Sequence, residues 1–224
     1  YDKVLLRDIN LSIKKGNKTL IVGTSGCGKS TLFYVLMRLL YPLKGNIFIQ
    51  GKNYDDLAEK SIREHFAVAF QEHHIFNLSI RDNFKMLYEN ITDEEIYKSL
   101  ENVYLLDFVN QVGLDYIVGN DGNKLSGGQK HRLQLAICLA KQKDIILLDE
   151  PTAGLDIKTT NNICSQLMEK YQKQTMIVTS HDISLLRFFD DIIICGEEKI
   201  IEQGNIKKLL LREDSYLNKL IRYK

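Results

Sequence analysis

The stretch Gly23-Thr24-Ser25-Gly26-Cys27-Gly28-Lys29-Ser30-Thr31 decides the fold of this chain. It follows the apolar run at residues 19–22, which is typical of a buried strand, and precedes residues 32–37, which are typical of a helix start. A strand, a G-x-x-x-x-G-K-S loop and a helix together form a phosphate-binding P-loop. Its glycines let backbone N–H groups surround an anion at the positive end of the helix. We therefore expect a nucleoside triphosphate here, with Lys29 on its terminal phosphates and the Ser30 hydroxyl on Mg²⁺.

The composition of the chain argues against several functional classes. Its 224 residues carry 30 Lys and Arg against 29 Asp and Glu, and a net charge of +1 gives no sign of a nucleic-acid partner. No apolar run approaches the ~20 residues of a membrane-spanning helix. The chain begins at Tyr1 without Met, which predicts a piece of a longer protein. The spacing of the cysteines is not that of a metal site, and we expect them to be reduced thiols in a cytosolic protein. They are Cys27, Cys138, Cys164 and Cys195.

Strand and helix patterns alternate along most of the chain, which is typical of the α/β class with a mostly parallel sheet. Residues 4–13 alternate apolar and polar side chains, which predicts a half-buried strand in an N-terminal antiparallel β part. The helix after the P-loop is predicted to run to about Leu40, before Pro42. The continuous apolar runs expected to form buried strands lie at residues 66–70, 144–149, 175–180 and 192–195.

The segment at residues 72–140 has a different character, because its apolar residues recur at helical spacing. Thr92 and Glu95 form a capping-box pattern ahead of one of these helices. We therefore expect residues 1–224 to form a single domain. Its core comes from residues 1–71 and 141–224, and residues 72–140 form an inserted α-helical subdomain.

Two acidic residues lie together at the carboxyl end of the buried strand at residues 144–149: Asp149 is its last residue and Glu150 follows it. Ligands of parallel sheets bind at the carboxyl ends of the strands, where the P-loop also lies. We expect Asp149 to reach Mg²⁺ and Glu150 to polarise the water that attacks the terminal phosphate. A solvated strand end is the simpler interpretation of an isolated Asp-Glu pair, but the P-loop favours the metal.

A second possible anion site lies at residues 125–129, Leu-Ser-Gly-Gly-Gln, at the start of a long predicted helix. The Ser126 hydroxyl, the N–H groups of Gly127 and Gly128 and the helix dipole all favour a negative charge. An ordinary serine N-cap with a glycine turn would give the same pentapeptide. Two phosphate-sized sites far apart in one sequence nevertheless require an explanation.

The order of these motifs resembles that of the nucleotide-binding domain of ABC transporters over essentially the whole chain. The P-loop matches the Walker A motif, residues 145–150 the Walker B motif and residues 125–129 the family signature. The resemblance implies a RecA-like P-loop NTPase core that hydrolyses ATP, with ATP and Mg²⁺ as its cofactors.

Four shorter matches support the same resemblance. Gln71 falls at the Q-loop glutamine, residues 153–156 at the D-loop with its Asp156, and His181 at the switch histidine. Tyr1 lies where the family places an aromatic residue that stacks on adenine. The ATP-binding set that the resemblance implies is Tyr1, Gly23, Thr24, Ser25, Gly26, Cys27, Gly28, Lys29, Ser30, Thr31 and Gln71.

The resemblance also explains why one chain carries two phosphate sites. In this family two nucleotide-binding domains meet head to tail around two ATP, and the signature of one contacts the ATP of the other. It thus implies an ATP-dependent dimer, with a homodimer favoured. The roles it implies are catalysis by Glu150 and His181, metal binding by Ser30, Gln71 and Asp149, and partner contact by Ser126, Gly127, Gly128 and Gln129.

Features outside the main motifs resemble the exporter branch, such as the Val-Gly-Asn-Asp-Gly segment at residues 118–122 before the signature. Residues 151–154 and 179–182 differ from the usual exporter pattern and resemble importers instead. The exporter branch is favoured, with transmembrane domains fused upstream of Tyr1 and a location at the cytoplasmic face of a bacterial membrane. The Lys, Asn and Ile-rich composition suggests peptide or bacteriocin export.

Two other functions compete with transport. A non-transport ABC ATPase of the DNA-repair or translation type would carry coiled coils, zinc inserts or basic arms, and the sequence has none. A small-molecule kinase would leave residues 125–129 and His181 unexplained. Within the P-loop, Cys27 lies beside Lys29 and a helix start, which favour a reactive thiolate. We expect modification of Cys27 by maleimide to block ATP binding, and bound ATP to protect it.

Overall fold

In the computed structural model the described residues are 6–71, 75–196 and 198–222, and they divide into two units. The first unit contains the described residues up to Phe66, Lys143–Asp149 and those from Lys173 onward. The second contains the described residues of Ala67–Gln142 and Glu150–Gln172. The first unit contains nearly all of the strands, and the regular secondary structure of the second is almost entirely helical.

The strands follow the apolar runs of the sequence. Most of them belong to the first unit, and β4 begins there at Phe66 and continues into the second. The strands in chain order are β1 (Lys18–Gly23), β2 (Phe48–Ile49), β3 (Lys52–Asn53), β4 (Phe66–Ala69), β5 (Ile145–Asp149), β6 (Thr175–Ser180), β7 (Asp191–Gly196) and β8 (Lys199–Asn205).

The sheet of the first unit has the order β5-β6-β1-β7-β8. The pairs β5/β6, β6/β1 and β1/β7 are parallel, whereas β8 runs antiparallel to β7. All residues of β6 are buried, as expected for a parallel strand covered on both faces. The predicted α/β class with a mostly parallel sheet is confirmed, and β2 with β3 adds a short antiparallel pair.

The helices lie between and after these strands along the chain, and α3 to α6 follow one another without a strand between them. In the first unit they include α1 and α2 and the C-terminal pair α8 and α9; the second unit contains the rest. The helices are α1 (Lys29–Leu36), α2 (Glu59–Glu64), α3 (Ile80–Lys85), α4 (Asp93–Glu101), α5 (Leu106–Val112), α6 (Gly127–Leu139), α7 (Ile157–Lys170), α8 (Ile206–Leu210) and α9 (Tyr216–Arg222).

Two predicted elements differ from the structure. Helix α1 ends at Leu36, short of Leu40, because the chain turns at Arg38, whose φ of 54° lies in the left-handed region. Residues 6–13 form no strand, although the alternation of residues 4–13 predicted one. The left-handed Asp8, with a φ of 50°, interrupts the extended backbone there.

Helix α6 packs against α4 and is hydrogen-bonded at its C-terminal end within the second unit. The predicted capping box of Thr92 and Glu95 is confirmed at the start of α4, which packs against α6. Buried tyrosine hydroxyls donate hydrogen bonds to its last carbonyls, Tyr88 to Cys138 O at 3.4 Å and Tyr171 to Leu139 O at 3.2 Å. Burial raises the pKa of both tyrosines to about 12, so the hydroxyls stay protonated and act as donors.

Candidate functional site

The P-loop joins the end of β1 to the start of α1, as predicted from the sequence. Gly26 and Gly28 have φ angles of 78° and 98°, conformations that glycine adopts without strain. The ammonium of Lys29 donates hydrogen bonds to the carbonyl oxygens of Gly23, at 3.0 Å, and Thr24, at 3.2 Å. The positive charge of Lys29 is thus held within the loop, at the N-terminus of a helix, where an anion is stabilised.

Gly23 is required by close packing rather than by its backbone conformation. A Cβ at this position would lie 2.6 Å from both Cys195 O and the Sγ of Cys27. Cys195 is the partner of Gly23 in the β1/β7 register, so the sheet itself brings the two backbones together. Cys27 is only 6% exposed and faces this packed side of the loop. Its predicted reactivity is therefore limited by access.

Asp149 ends β5 and is bound by hydroxyl groups on both carboxylate oxygens. Ser30 Oγ donates to Asp149 Oδ2 at 2.6 Å, and Thr179 Oγ1 donates to Oδ1 at 2.5 Å. The structure thus brings Ser30 and Asp149 together, as the metal-site prediction requires. Hydroxyl and carboxylate oxygens are suitable ligands for Mg²⁺, which commonly takes one or two protein ligands and completes its shell with phosphates and water.

Thr179 was not identified by sequence reasoning as a site residue. The available signal was a polar side chain near the carboxyl end of a largely apolar strand, the edge where ligands bind, and Thr179 is fully buried. His181 lies two residues further on, exposed just after the end of β6. Next to it, Ser180 Oγ accepts a hydrogen bond from the Asp182 amide at 3.0 Å, which fixes the turn that carries the histidine.

The signature residues form the N-terminus of α6 in the second unit. The Ser126 hydroxyl accepts a hydrogen bond from the Gln129 amide at 3.2 Å, and the Gln129 side chain accepts one from the Ser126 amide at 2.8 Å. This capping box uses the serine as an acceptor, which leaves its hydroxyl proton for an incoming anion.

The two signature glycines differ in what surrounds them. A Cβ at Gly127 would meet nothing within 4 Å, and one at Gly128 would make ordinary contact with Leu155 Cδ2 at 3.5 Å. Arg132, which sequence reasoning also missed, donates from Nε to Gly128 O at 3.2 Å and from Nη1 to Tyr104 O at 2.8 Å. Arg132 therefore ties the first turn of α6 to the chain segment after α4.

The remaining predicted residues lie at element ends in the second unit. Asp156 is the N-cap of α7 and accepts hydrogen bonds from the side chain and amide of Thr159, which lower the pKa of its carboxyl. Gln71 is exposed after β4, and Glu150 is half-buried with a φ of 51°. Tyr1 and the segment at residues 72–74 lie outside the described residues.

The fold and the P-loop define a P-loop ATPase that carries a second glycine-rich helix N-terminus. The sequence matches the ABC transporter family over residues 6–153. The chain belongs to this family and is its ATP-binding domain, as predicted from the motifs. The site therefore binds ATP.

Individual relatives are transport proteins. The beta-(1→2)glucan export ATP-binding/permease protein NdvA of Agrobacterium vitis is 34% identical over 206 residues, which cover 91% of this chain and 35% of the relative. The glutathione/L-cysteine transport system ATP-binding/permease protein CydC of Escherichia coli is 35% identical over 211 residues, covering 94% of this chain and 37% of the relative. The relatives thus favour transport over DNA repair, and this chain spans little more than a third of their length.

A solved structure gives the same result for the fold. The structure of a bacterial Atm1-family ABC exporter with ATP bound matches with a TM-score of 0.92 and 30% identity. The match covers 99% of this chain and 39% of the exporter chain. Across the described part of this chain, no helix has the length and apolar character needed to cross a membrane.

Proposed function

We propose that this chain is the ATP-hydrolysing motor domain of an ABC exporter, which pairs head to tail with a second such domain around two ATP. The observation that carries the proposal is the presence of two phosphate-sized sites at separate helix N-termini. One is the P-loop at α1, with its own lysine; the other is the signature at α6, where Gly127 leaves open space.

Within the P-loop, we assign the phosphates to the backbone N–H groups and to Lys29. Because Lys29 donates to two carbonyl oxygens of its own loop, its ammonium is already directed into the phosphate-binding turn. Ser30 and Asp149 would hold Mg²⁺, which on binding neutralises phosphate charge, and Gln71 would contribute a further oxygen. The remaining residues of the loop, with Tyr1 on adenine, complete the binding set.

Hydrolysis in this proposal depends on Glu150 and His181. Glu150 follows the metal-binding Asp149 directly and acts as the general base that takes a proton from the attacking water. His181 holds the γ-phosphate and this water in place. Asp156, as the N-cap of α7, belongs to the D-loop that faces the partner domain.

The signature provides the contact across the dimer. Ser126, Gly127, Gly128 and Gln129 would approach the γ-phosphate bound by the partner's P-loop. Among the described residues, none beyond the glycine's chain neighbours and the backbone of its own helix comes within 4 Å of a Gly127 Cβ, which supports this role because the space is available to an external group. ATP then bridges the domains, and its hydrolysis removes the bridging phosphate.

The transmembrane partner and the direction of transport follow from the relatives. Two of them are named as ATP-binding/permease proteins, one for export and one for a transport system, and this chain corresponds to 35–37% of their length. We propose transmembrane domains as partners, export as the direction and the cytoplasmic face of the membrane as the location. A helical subdomain at residues 72–140 would carry the signature.

The mass of purified Glu150→Gln protein, measured by light scattering with and without Mg·ATP, tests the pairing. Loss of the base slows hydrolysis by ~10²–10⁴, so the bound ATP persists and the dimer accumulates. We expect a monomer without ATP and a dimer with it. Adding Ser126→Arg should abolish the dimer, because the arginine fills the phosphate space.

Gln111→Arg is the matched control, since it adds the same side chain at an exposed position of α5 in the same unit. It should leave the ATP-dependent dimer intact. Glu150→Gln protein that binds ATP but remains a monomer would contradict the head-to-tail pairing. Glu150→Gln protein that hydrolyses ATP at the wild-type rate would contradict the role of Glu150.

A further inference from the structure

The carboxylate of Asp149 has an arrangement that its proposed role in metal binding does not by itself explain. It is 3% exposed, and each of its oxygens accepts a hydrogen bond from a different hydroxyl group. Ser30 comes from the P-loop side, and Thr179 comes from the neighbouring strand β6. The bond from Thr179 occupies one lone-pair position of Oδ1 and, together with the bond from Ser30 to Oδ2, fixes the plane of the group.

Four features make the Thr179 hydroxyl a rigid contact. Thr179 is fully buried, and it is the direct partner of Asp149 in the β5/β6 register. Its β-branched side chain has restricted rotation about χ1. A hydrogen bond from a hydroxyl to a carboxylate is also among the stronger ones, because the acceptor is charged. The distance of 2.5 Å between Thr179 Oγ1 and Asp149 Oδ1 agrees with a bond of this kind.

We infer that Thr179 is a positioning residue for the metal site, an inference that rests on the proposed ATPase function. By holding Oδ1, Thr179 directs Oδ2 of Asp149 towards Ser30, the other proposed oxygen ligand of Mg²⁺. Groups that orient a metal ligand raise metal affinity because the ligand loses less freedom on binding. Thr179 itself contacts neither the nucleotide nor the metal in this arrangement.

A purely structural role for Thr179 would satisfy two buried polar groups and affect stability only. A positioning role and a purely structural role differ in their effect on how much Mg²⁺ strengthens ATP binding: only loss of a positioning residue should reduce that gain. Thr179→Val keeps the size of the side chain and removes the hydroxyl, and Thr179→Ser keeps the hydroxyl. Thr175, on the same strand, provides a matched control, since its buried hydroxyl accepts a hydrogen bond from the Gly16 amide at 3.0 Å, and Thr175→Val removes a comparable bond.

The experiment measures the affinity of the 224-residue chain for fluorescent ATP, in Mg²⁺ and in EDTA, for each variant. The affinity in Mg²⁺ divided by the affinity in EDTA defines the gain from Mg²⁺. We expect Thr179→Val to reduce this gain about tenfold, the lower end of the effect of removing a group that orients a metal ligand. Thr179→Ser should restore it and Thr175→Val should leave it unchanged.

A Thr179→Val protein with the wild-type gain from Mg²⁺ would overturn the inference, as would a Thr175→Val protein with the same loss. If Thr179→Val does not fold, the gain measured for Thr179→Ala decides in the same way. Failure of the proposed function would be seen separately, as wild-type protein that binds Mg·ATP but neither hydrolyses it nor forms the ATP-dependent dimer, whereas the inference about Thr179 depends only on the gain from Mg²⁺ compared between variants. Mn²⁺ binding to the ATP complex, followed by electron paramagnetic resonance, gives a second readout that is independent of hydrolysis.

Discussion

The P-loop and the signature are both glycine-containing helix starts, but they are built in different ways. The P-loop helix α1 has Gly28 at its N-cap and no side-chain cap, and its loop is fixed by packing against β7 and by Lys29. The signature helix α6 is capped by its own Ser126 and Gln129, and nothing fills the space at Gly127. The P-loop therefore depends on the rest of its unit, whereas the signature is locally complete and open on one side.

The largest effect should follow from breaking the P-loop's packing. Gly23→Ala places a Cβ 2.6 Å from the backbone oxygen of Cys195, which cannot move without disturbing the sheet. We expect the free energy of unfolding to fall by about 1–3 kcal/mol, as in other overpacked sites, and ATP affinity to fall more than tenfold. Thermal unfolding and titration with fluorescent ATP measure the two effects.

Gly26→Ala is the control for this substitution. Its Cβ would meet nothing within 4 Å, and only the φ of 78° opposes it, at a cost of ~1–2 kcal/mol. We expect it to retain more ATP affinity than Gly23→Ala. The reverse order would show that backbone conformation, rather than packing against β7, limits the loop.

An intermediate effect should follow from closing the signature's open space. Gly127→Ala should leave the stability of the monomer and its ATP affinity unchanged, because the added Cβ meets no atom within 4 Å in the part of the chain that the structure describes, outside its own helix. In the Glu150→Gln background the ATP-dependent dimer should weaken by at least about tenfold, the equivalent of ~1.4 kcal/mol. Sedimentation at several protein concentrations measures this change.

Asn110→Ala, at an exposed position of α5 in the same unit, should leave both properties unchanged and controls for the introduction of alanine on a helix surface away from the signature. A Gly127→Ala protein that unfolds more easily than wild type would mean that the signature, like the P-loop, is fixed by packing. The contrast between the two sites would then be lost.

The smallest effect concerns the thiol inside the P-loop. Cys27 is 6% exposed, so maleimide should label it slowly, and ATP at about three times its dissociation constant should slow labelling about fourfold. The pKa of Cys195 is raised to about 11, mainly by burial and also by the neighbouring Cys27. Near pH 8 the Cys195 thiol therefore stays protonated and reacts slowly. Mass spectrometry of the labelled peptides separates the two sites.

Cys27→Ser protein shows how much label the other cysteines take up. A labelling rate of Cys27 that does not change with ATP would contradict its place in the phosphate-binding turn. Because the thiolate fraction of Cys195 grows as pH rises towards about 11, its own labelling should increase over that range.

The sequence predicted those parts of the fold and the site that depend on interactions between residues close together in the chain. The P-loop follows from glycine positions and flanking strand and helix patterns, and both capping boxes follow from residues three apart. The predicted strand at residues 4–13 was not confirmed where the structure is described, because alternation does not reveal a left-handed residue such as Asp8.

Interactions between distant parts of the chain were not predictable in this way. Thr179 reaches Asp149 only through strand pairing, and Arg132 reaches Tyr104 O only through the packing of helices. No spacing in the sequence encodes either contact. Close packing at Gly23 depends likewise on β7, far along the chain, so the motif identified the glycine but not the physical reason for it.

The backbone of Glu150 has a consequence for how this protein responds to selection. A φ of 51° costs a residue with a Cβ ~1–2 kcal/mol that glycine does not lose, and asparagine tolerates this region better than most residues. A library randomised at residue 150 and sorted for heat resistance alone should enrich glycine and asparagine. Because we propose Glu150 as the general base, the same library sorted for ATP turnover should return glutamate. The most stable and the most active sequences would then differ at position 150.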